Sequence, residues 1–166
     1  MATASAQRLD FESLDSNTRL VHFSQMMQAI ELLHRRFLDL LSNELTRNHK
    51  ALSAIQALIL HHIGDDSLSL GDLIARGYYQ GTNLSYNITK LGDSGFVTLT
   101  KPEWDKRSTR VCLTTSGRGV AELVGALLDD HANRLDDIGL EEADLFLLSR
   151  AFKGLEKHWS RLLTAA

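Results

Sequence analysis

One cysteine, Cys112, stands alone in 166 residues, so the chain cannot close an internal disulfide, which fits a reducing compartment. No apolar run approaches the roughly 20 residues that span a bilayer, and no membrane partner is expected. The start, Met1-Ala2-Thr3-Ala4-Ser5-Ala6-Gln7-Arg8, has no apolar stretch behind a basic head, so it does not read as a secretory signal. Cytoplasmic is the expected location. Also missing are a glycine-rich phosphate loop, a nucleophile elbow and a metal-binding motif. The seven histidines include the adjacent His61-His62 but form no set with ligand spacing. No catalytic residue, cofactor or metal ligand is therefore assigned, and an enzyme is not expected. Internal repeats and low-complexity stretches are absent as well.

What is present is an ordinary globular composition, 43% hydrophobic and 23% charged. The length suits one compact domain, or a small domain with an oligomerisation element. A net charge of −3 argues at first against a nucleic-acid partner, because phosphate neutralisation supplies most non-specific DNA affinity. The distribution says otherwise. From Arg76 to Arg118 the basic residues are Arg76, Lys90, Lys101, Lys106, Arg107, Arg110 and Arg118, against Asp93, Glu103 and Asp105. The last third reverses this with Asp129, Asp130, Asp136, Asp137, Glu141, Glu142 and Asp144. A basic middle beside an acidic flank can dock on DNA by one face.

Periodicity supplies the elements. Phe23, Met26, Met27, Ile30, Leu33, Phe37, Leu40, Leu41 and Leu45 recur at spacings of three and four, predicting a long amphipathic helix that ends near Arg47-Asn48-His49. A second helix follows Ser53 and ends at Gly64, with Ile55, Leu58, Ile59 and His62 or Ile63 on its core face. Ser69 and Asp72 form a capping-box pattern ahead of Leu70, Leu73 and Ile74, and Gly77 ends that third helix. Thr82 is the expected N-cap of a fourth, closed by Asp93-Ser94-Gly95. Phe96–Lys101 and Arg110–Thr114 are rich in β-branched and aromatic residues and predict a hairpin around a polar segment holding the only proline, Pro102. Thr114 or Thr115 then caps a helix bearing Val120, Leu123, Val124, Leu127, Leu128, His131 and Leu135, broken at Gly139. Finally Leu145, Leu148, Phe152, Leu155, Trp159 and Leu162 alternate spacings of three and four, the period of a helix–helix seam and the candidate dimer surface.

The fourth helix carries the functional argument. Leu84, Ile88 and Leu91 define an inner face, while Thr82, Asn83, Ser85, Tyr86, Thr89 and Lys90 point away or flank it. That outer face offers amide, hydroxyl, phenol and ammonium groups and no acid. A helix of this kind suits the major groove, where each base pair shows a distinct pattern of donors and acceptors. Asn87 sits beside the inner face, where an apolar residue is usual, and is not assigned to base contact. Lys101, Lys106 and Arg107 in the hairpin loop, with Arg110 on the outgoing strand, form a second basic element; an arginine there suits a narrow minor groove. A plain surface pair of Arg107 with Asp105 or Glu103 would stabilise by at most about 1 kcal/mol and would not account for the arrangement.

The run Leu91-x-x-Ser94-Gly95-Phe96-Val97, then Asp105-Lys106-Arg107, then Val111-x-Leu113-Thr114-x-x-Gly117, resembles the multiple-antibiotic-resistance-regulator (MarR) family over roughly residues 20–163. The resemblance implies a homodimer with intertwined terminal helices and two winged lobes that straddle pseudo-palindromic double-stranded DNA. It carries over Asp105 and Arg107 as a wing pair, and Thr82, Asn83, Ser85, Tyr86 and Lys90 as recognition-helix positions. It also implies a small apolar or phenolic effector. Residues suited to such a cleft are Phe23, Met26, Met27, Ile30, His34, Phe37, His61, His62 and Tyr79, although methionine and aromatic residues at helical spacing read first as plain core.

The expected fold is thus mainly α with a small β-hairpin, a winged helix-turn-helix flanked by long dimerisation helices. Its expected divisions are a flexible arm (1–18), a dimerisation helix (19–50), the DNA-binding lobe (51–116) and C-terminal dimerisation helices (117–166). The competing reading is a winged-helix adaptor that binds protein alone; the basic wing argues against it. Cys112, between Val111 and Leu113 on a strand, is a poor redox switch, since an exposed thiol of low pKa would be required.

Overall fold

The computed structural model describes residues 16–75, 81–100 and 109–165, and the chain divides into two compact units, residues 1–55 and 56–166. The proposed arm lies mostly outside the described residues. In the first unit, α1 runs over Ser16–Arg47. Its apolar period continues as predicted, but only Leu41 and Leu45 are buried. Leu33, expected on the apolar face, is 66% exposed, and Leu20, Leu32 and Leu40 are exposed as well. The helix stops where predicted. His49 adopts a left-handed conformation with φ of 54°. Its N–H donates to Thr46 O at 3.1 Å and that of Lys50 to Leu45 O at 2.9 Å, so two terminal carbonyls are satisfied.

The second helix, α2 (Ala54–Ile63), starts directly after Ser53 and crosses the boundary between the units. Ala54, Ala57, Ile59, Leu60 and Ile63 are buried, so the helix is enclosed on more than one face. The core position left open between His62 and Ile63 belongs to Ile63, at 0% exposure.

In the second unit β1 (Leu68–Ser69) leads straight into α3 (Leu70–Ala75). The predicted capping box is formed reciprocally: Ser69 N donates to Asp72 Oδ2 at 2.9 Å and Asp72 N to Ser69 Oγ at 3.0 Å. Leu73 is buried, whereas Ile74 is 42% exposed. Next come α4 (Gly81–Asp93), β2 (Val97–Thr100) and β3 (Arg110–Leu113). Because α4 begins at Gly81, Thr82 lies within the helix and is not its N-cap. The two strands pair antiparallel with Val97 opposite Leu113 and Thr100 opposite Arg110. The hairpin is not alone. β1 pairs with the other side of β3, Leu68 opposite Val111, to make a sheet of order β1-β3-β2. Two residues are too few to show a period, which is why β1 escapes a pattern reading.

The end of α4 is set by Gly95, whose φ of 74° suits glycine. Gly95 N donates to Gly92 O at 3.0 Å and Phe96 N to Leu91 O at 2.9 Å, a Schellman closure that aims the chain into β2. After β3, Thr114 is the N-cap of α5 (Thr115–Ala132) and accepts from Gly117 N at 3.1 Å. Its hydroxyl proton is within reach of Gly95 O, at 2.8 Å, and of Phe96 O, at 3.1 Å, and its own N–H donates to Phe96 O at 3.0 Å. Val120 and Val124 bury one face of α5. That helix ends at Ala132, short of the predicted break: Leu135 belongs to a separate 3₁₀ turn, Leu135–Ile138, which Gly139 closes with φ of 72°. The last helix, α6 (Glu142–Thr164), opens with a capping box between Glu141 and Asp144 and fully buries none of its side chains. No described helix is long and apolar enough to cross a membrane.

Among the described glycines, Gly117 is the tightest. A Cβ added there would fall inside the van der Waals envelope of Phe96 O, a backbone atom that cannot turn aside. At Gly119, two residues further on, a Cβ meets nothing within 4 Å. Gly117→Ala is expected to destabilise the fold by about 3 kcal/mol, and Gly119→Ala to stabilise it by about 0.5–1 kcal/mol through helix propensity. Urea unfolding midpoints of the two variants check this; midpoints that move together would refute the packing argument.

Candidate nucleic-acid interface

The inner face of α4 contains four residues. Leu84, Ile88 and Leu91 are 1%, 2% and 0% exposed, and Asn87, at 8%, joins them. This face packs on α3 and β2. It thereby turns Asn83, Ser85, Tyr86, Thr89 and Lys90 outward, all of them exposed. Thr82 belongs to the same helix, but its side chain lies outside the described residues.

Each outer side chain is held in its own way. Thr89 Oγ1 donates back to Ser85 O at 3.0 Å, so its hydroxyl retains only acceptor capacity toward a ligand. Lys90 Nζ sits 5.5 Å from the centre of the Tyr86 ring, one turn earlier. A cation over an exposed aromatic face gains about 0.5–1 kcal/mol, enough to bias the ammonium without tying it down. Tyr86 is itself 61% exposed. Asn87 donates through Nδ2 to Asn83 O at 2.9 Å and to Asn83 Oδ1 at 2.8 Å. That answers where its polar group goes: into the preceding turn.

The wing is described at its base only. Lys101, Asp105, Lys106 and Arg107 lie outside the described residues. Arg110 opens β3, and its Nη1 donates to Ser67 O at 2.8 Å, just before β1. This structural tie was not legible in the sequence, which suggested only a free cation on the outgoing strand. The guanidinium has five N–H donors, so one bond leaves others for a phosphate.

The candidate effector residues fall in both units. Phe23, Met26, Met27, Ile30, His34 and Phe37 lie on α1 in the first unit, with Phe23 and His34 exposed and the rest half-buried. His61 and His62 lie on α2 in the second, their rings 5.9 Å apart and tilted; Tyr79 is outside the described residues. His61 Nδ1 stands 3.2 Å from Ala121 O. Since a carbonyl can only accept, the bond requires the proton on Nδ1. His61 also lines an open cleft of about 330 Å³ with Gly64, Asp65, Leu113, Arg118, Ala121 and Glu122, where Arg118 pairs with Asp65.

On α6 the predicted seam is apolar and uncovered. Leu145, Leu148, Phe152 and Trp159 are 39–44% exposed and Leu162 57%, with Leu155 half-buried.

Residues 52–117 match the family model of the winged helix DNA-binding domain. Over 105 residues the chain is 36% identical to the exopolysaccharide II synthesis transcriptional activator ExpG of Rhizobium meliloti (strain 1021), covering 63% of this chain and 54% of that one. The match therefore spans about half the length of that relative. Among solved structures, FabT of Streptococcus pneumoniae in complex with DNA superposes with a TM-score of 0.67 at 15% identity, covering 84% of this chain and 99% of FabT. AbsC, a MarR family transcriptional regulator from Streptomyces coelicolor, does so with a TM-score of 0.67 at 20% identity, covering 89% and 97%. At such identities the likeness is one of fold.

Arg110→Ala removes the tie to Ser67 and is expected to lower stability by about 1 kcal/mol. Chemical denaturation measures it. An unchanged midpoint would mean that the guanidinium has no structural task.

Proposed function

We propose that this chain, a winged helix DNA-binding domain at residues 52–117 within the fold of MarR family regulators, is a transcriptional regulator that binds pseudo-palindromic double-stranded DNA as a homodimer. The observation that carries the reading is the outer face of α4. From Asn83 to Lys90 every side chain off the core face is a hydrogen-bond donor, acceptor or cation, each is exposed, and none is an acid. Exposed helix faces commonly carry acids, and a surface meant for phosphate and base edges has reason to exclude them. Thr82, Asn83, Ser85, Tyr86, Thr89 and Lys90 are the proposed groove contacts. Lys101, Asp105, Lys106, Arg107 and Arg110 are the proposed wing contacts, Asp105 orienting Arg107. The relatives support the partner: FabT is solved in complex with DNA, and ExpG is a transcriptional activator.

Homodimerisation is proposed on the seam of α6, Leu145, Leu148, Phe152, Leu155, Trp159 and Leu162. A run of half-exposed apolar side chains at seam spacing is characteristic of a surface that meets another chain. The proposed divisions follow: dimerisation helices at 19–50 and 117–166 around a DNA-binding lobe at 51–116. Control by a small apolar or phenolic effector rests on Met26, Met27, Ile30 and Phe37, which mix adaptable and aromatic surface and are only half-buried on α1.

DNA affinity should fall steeply with salt, and Lys90→Ala should reduce the magnitude of the log–log slope by about 0.9 if Lys90 neutralises one phosphate. Fluorescence anisotropy on an operator fragment measures both. A salt-independent affinity would count against the whole reading, and an unchanged slope against Lys90. Phe152→Glu should weaken self-association about thirtyfold or more, the effect of losing an interface hot spot. Sedimentation equilibrium reads this directly, and an unaltered dimer would rule out the α6 seam as the interface.

A further inference from the structure

We infer that Asn87 is a positioning residue that turns the Asn83 carboxamide so that its amino group, and not its carbonyl oxygen, faces the DNA. The inference rests on the DNA-binding reading above and adds the class of base that Asn83 selects.

The orientation follows from donors and acceptors alone. A backbone carbonyl can only accept, so the Asn87 atom 2.9 Å from Asn83 O must be the amino nitrogen. The same nitrogen lies 2.8 Å from a side-chain atom of Asn83, which must then be the acceptor, Oδ1. Both hydrogens of the Asn87 amide are spent on one residue. Asn87 is 8% exposed, so water offers it little replacement, and releasing Asn83 Oδ1 would leave a buried donor unpaired. Asn83, by contrast, is exposed. Its oxygen is turned back along the helix, and its own Nδ2 is the group left to reach outward.

An asparagine reads adenine with both ends at once: the oxygen accepts from N6 and the nitrogen donates to N7. With Oδ1 turned back toward Asn87, that paired arrangement is not offered. What Asn83 presents is a donor, which suits base edges rich in acceptors, guanine with N7 and O6 or thymine with O4. Asn83 is thereby a reader of guanine or thymine, and the residue that makes it so is one turn away and out of contact with DNA.

The test is selection from a randomised operator library by the full-length wild type, Asn83→Ala and Asn87→Leu, with thermal melting of each. Asn83→Ala identifies the base position that Asn83 reads, since only that position loses its preference. The wild type is expected to select guanine or thymine there. Asn87→Leu frees both ends of Asn83 and should move the preference at that one position toward adenine by about fivefold, leaving other positions alone. A merely structural Asn87 would weaken binding at every position equally. Adenine selected by the wild type, no position lost in Asn83→Ala, or an unchanged preference in Asn87→Leu would overturn the inference. Should Asn87→Leu fail to fold, the first two proteins still decide it. Absence of any sequence preference in the wild type would instead refute the DNA-reading function. In that case the hydrogen-bond geometry is still measurable by NMR, as slower solvent exchange of the Asn87 side-chain amide than of the Asn83 one.

Discussion

The second unit turns on a junction of four residues. Thr114 caps α5, shares its hydroxyl proton with the carbonyls of Gly95 and Phe96, and pairs its own N–H with Phe96 O, while Gly117 lets α5 press against that same carbonyl. Phe96 is also where the closure of α4 ends, through its bond to Leu91 O. One peptide therefore couples the exit of the fourth helix, the entry of β2 and the start of α5. Loosening it would free α4 to rotate relative to the strands, and the outer face of α4 is useful only if it is held at a fixed angle. The Leu-Thr-x-x-Gly pattern thus has a mechanical meaning: a cap at Thr114 and a missing side chain at Gly117.

The inner face of α4 shows a second constraint of the same kind. Three of its four members are aliphatic and nearly inaccessible, and the fourth is Asn87. A buried amide costs free energy unless its hydrogens are bonded, and both are, to the turn that precedes it. An aliphatic residue would pack as well without that requirement. What the amide adds is orientation of a neighbour on the outer face. The departure from an all-apolar inner face is therefore a connection between core and surface.

Much of this was legible in the residues themselves because the signals were local. The Ser69–Asp72 box, the Gly95 stop and the Thr114 cap each lie within a few residues of the backbone groups they satisfy, and each forms as the pattern predicts. The face of α4 was legible for the same reason, since three leucine and isoleucine positions fix its rotation. What escaped depends on partners distant in sequence or on the angle of one side chain. β1 has two residues and exists by pairing with Val111 and Arg110. Arg110 reads as a free cation until Ser67, 43 residues earlier, is beside it. The early end of α5 escaped because Leu135 continues the apolar spacing, while Asn133 and Arg134 leave the helix before it. The exposure of Leu33 likewise cannot be inferred from spacing alone.

The uncovered helices bear on whether one chain is the functional unit. A 23-residue helix of mixed composition is marginal in water, and most helical stability in proteins comes from packing an apolar face. On α6 that packing is at best partial. Covering the remaining surface of its six seam residues is worth about 1 kcal/mol each, judged against the 1.5–3 kcal/mol for burying such a side chain outright. A symmetric pair counts that gain twice, while association costs on the order of 4–15 kcal/mol. The seam alone brings the two terms to the same size, and the exposed leucines of α1 offer apolar surface beyond it. Self-association by this route would also explain why the basic lobe and the acidic C-terminal third occupy separate, adjoining stretches of the sequence: the helices that pair carry the acids, and the proposed DNA-facing side is spared them.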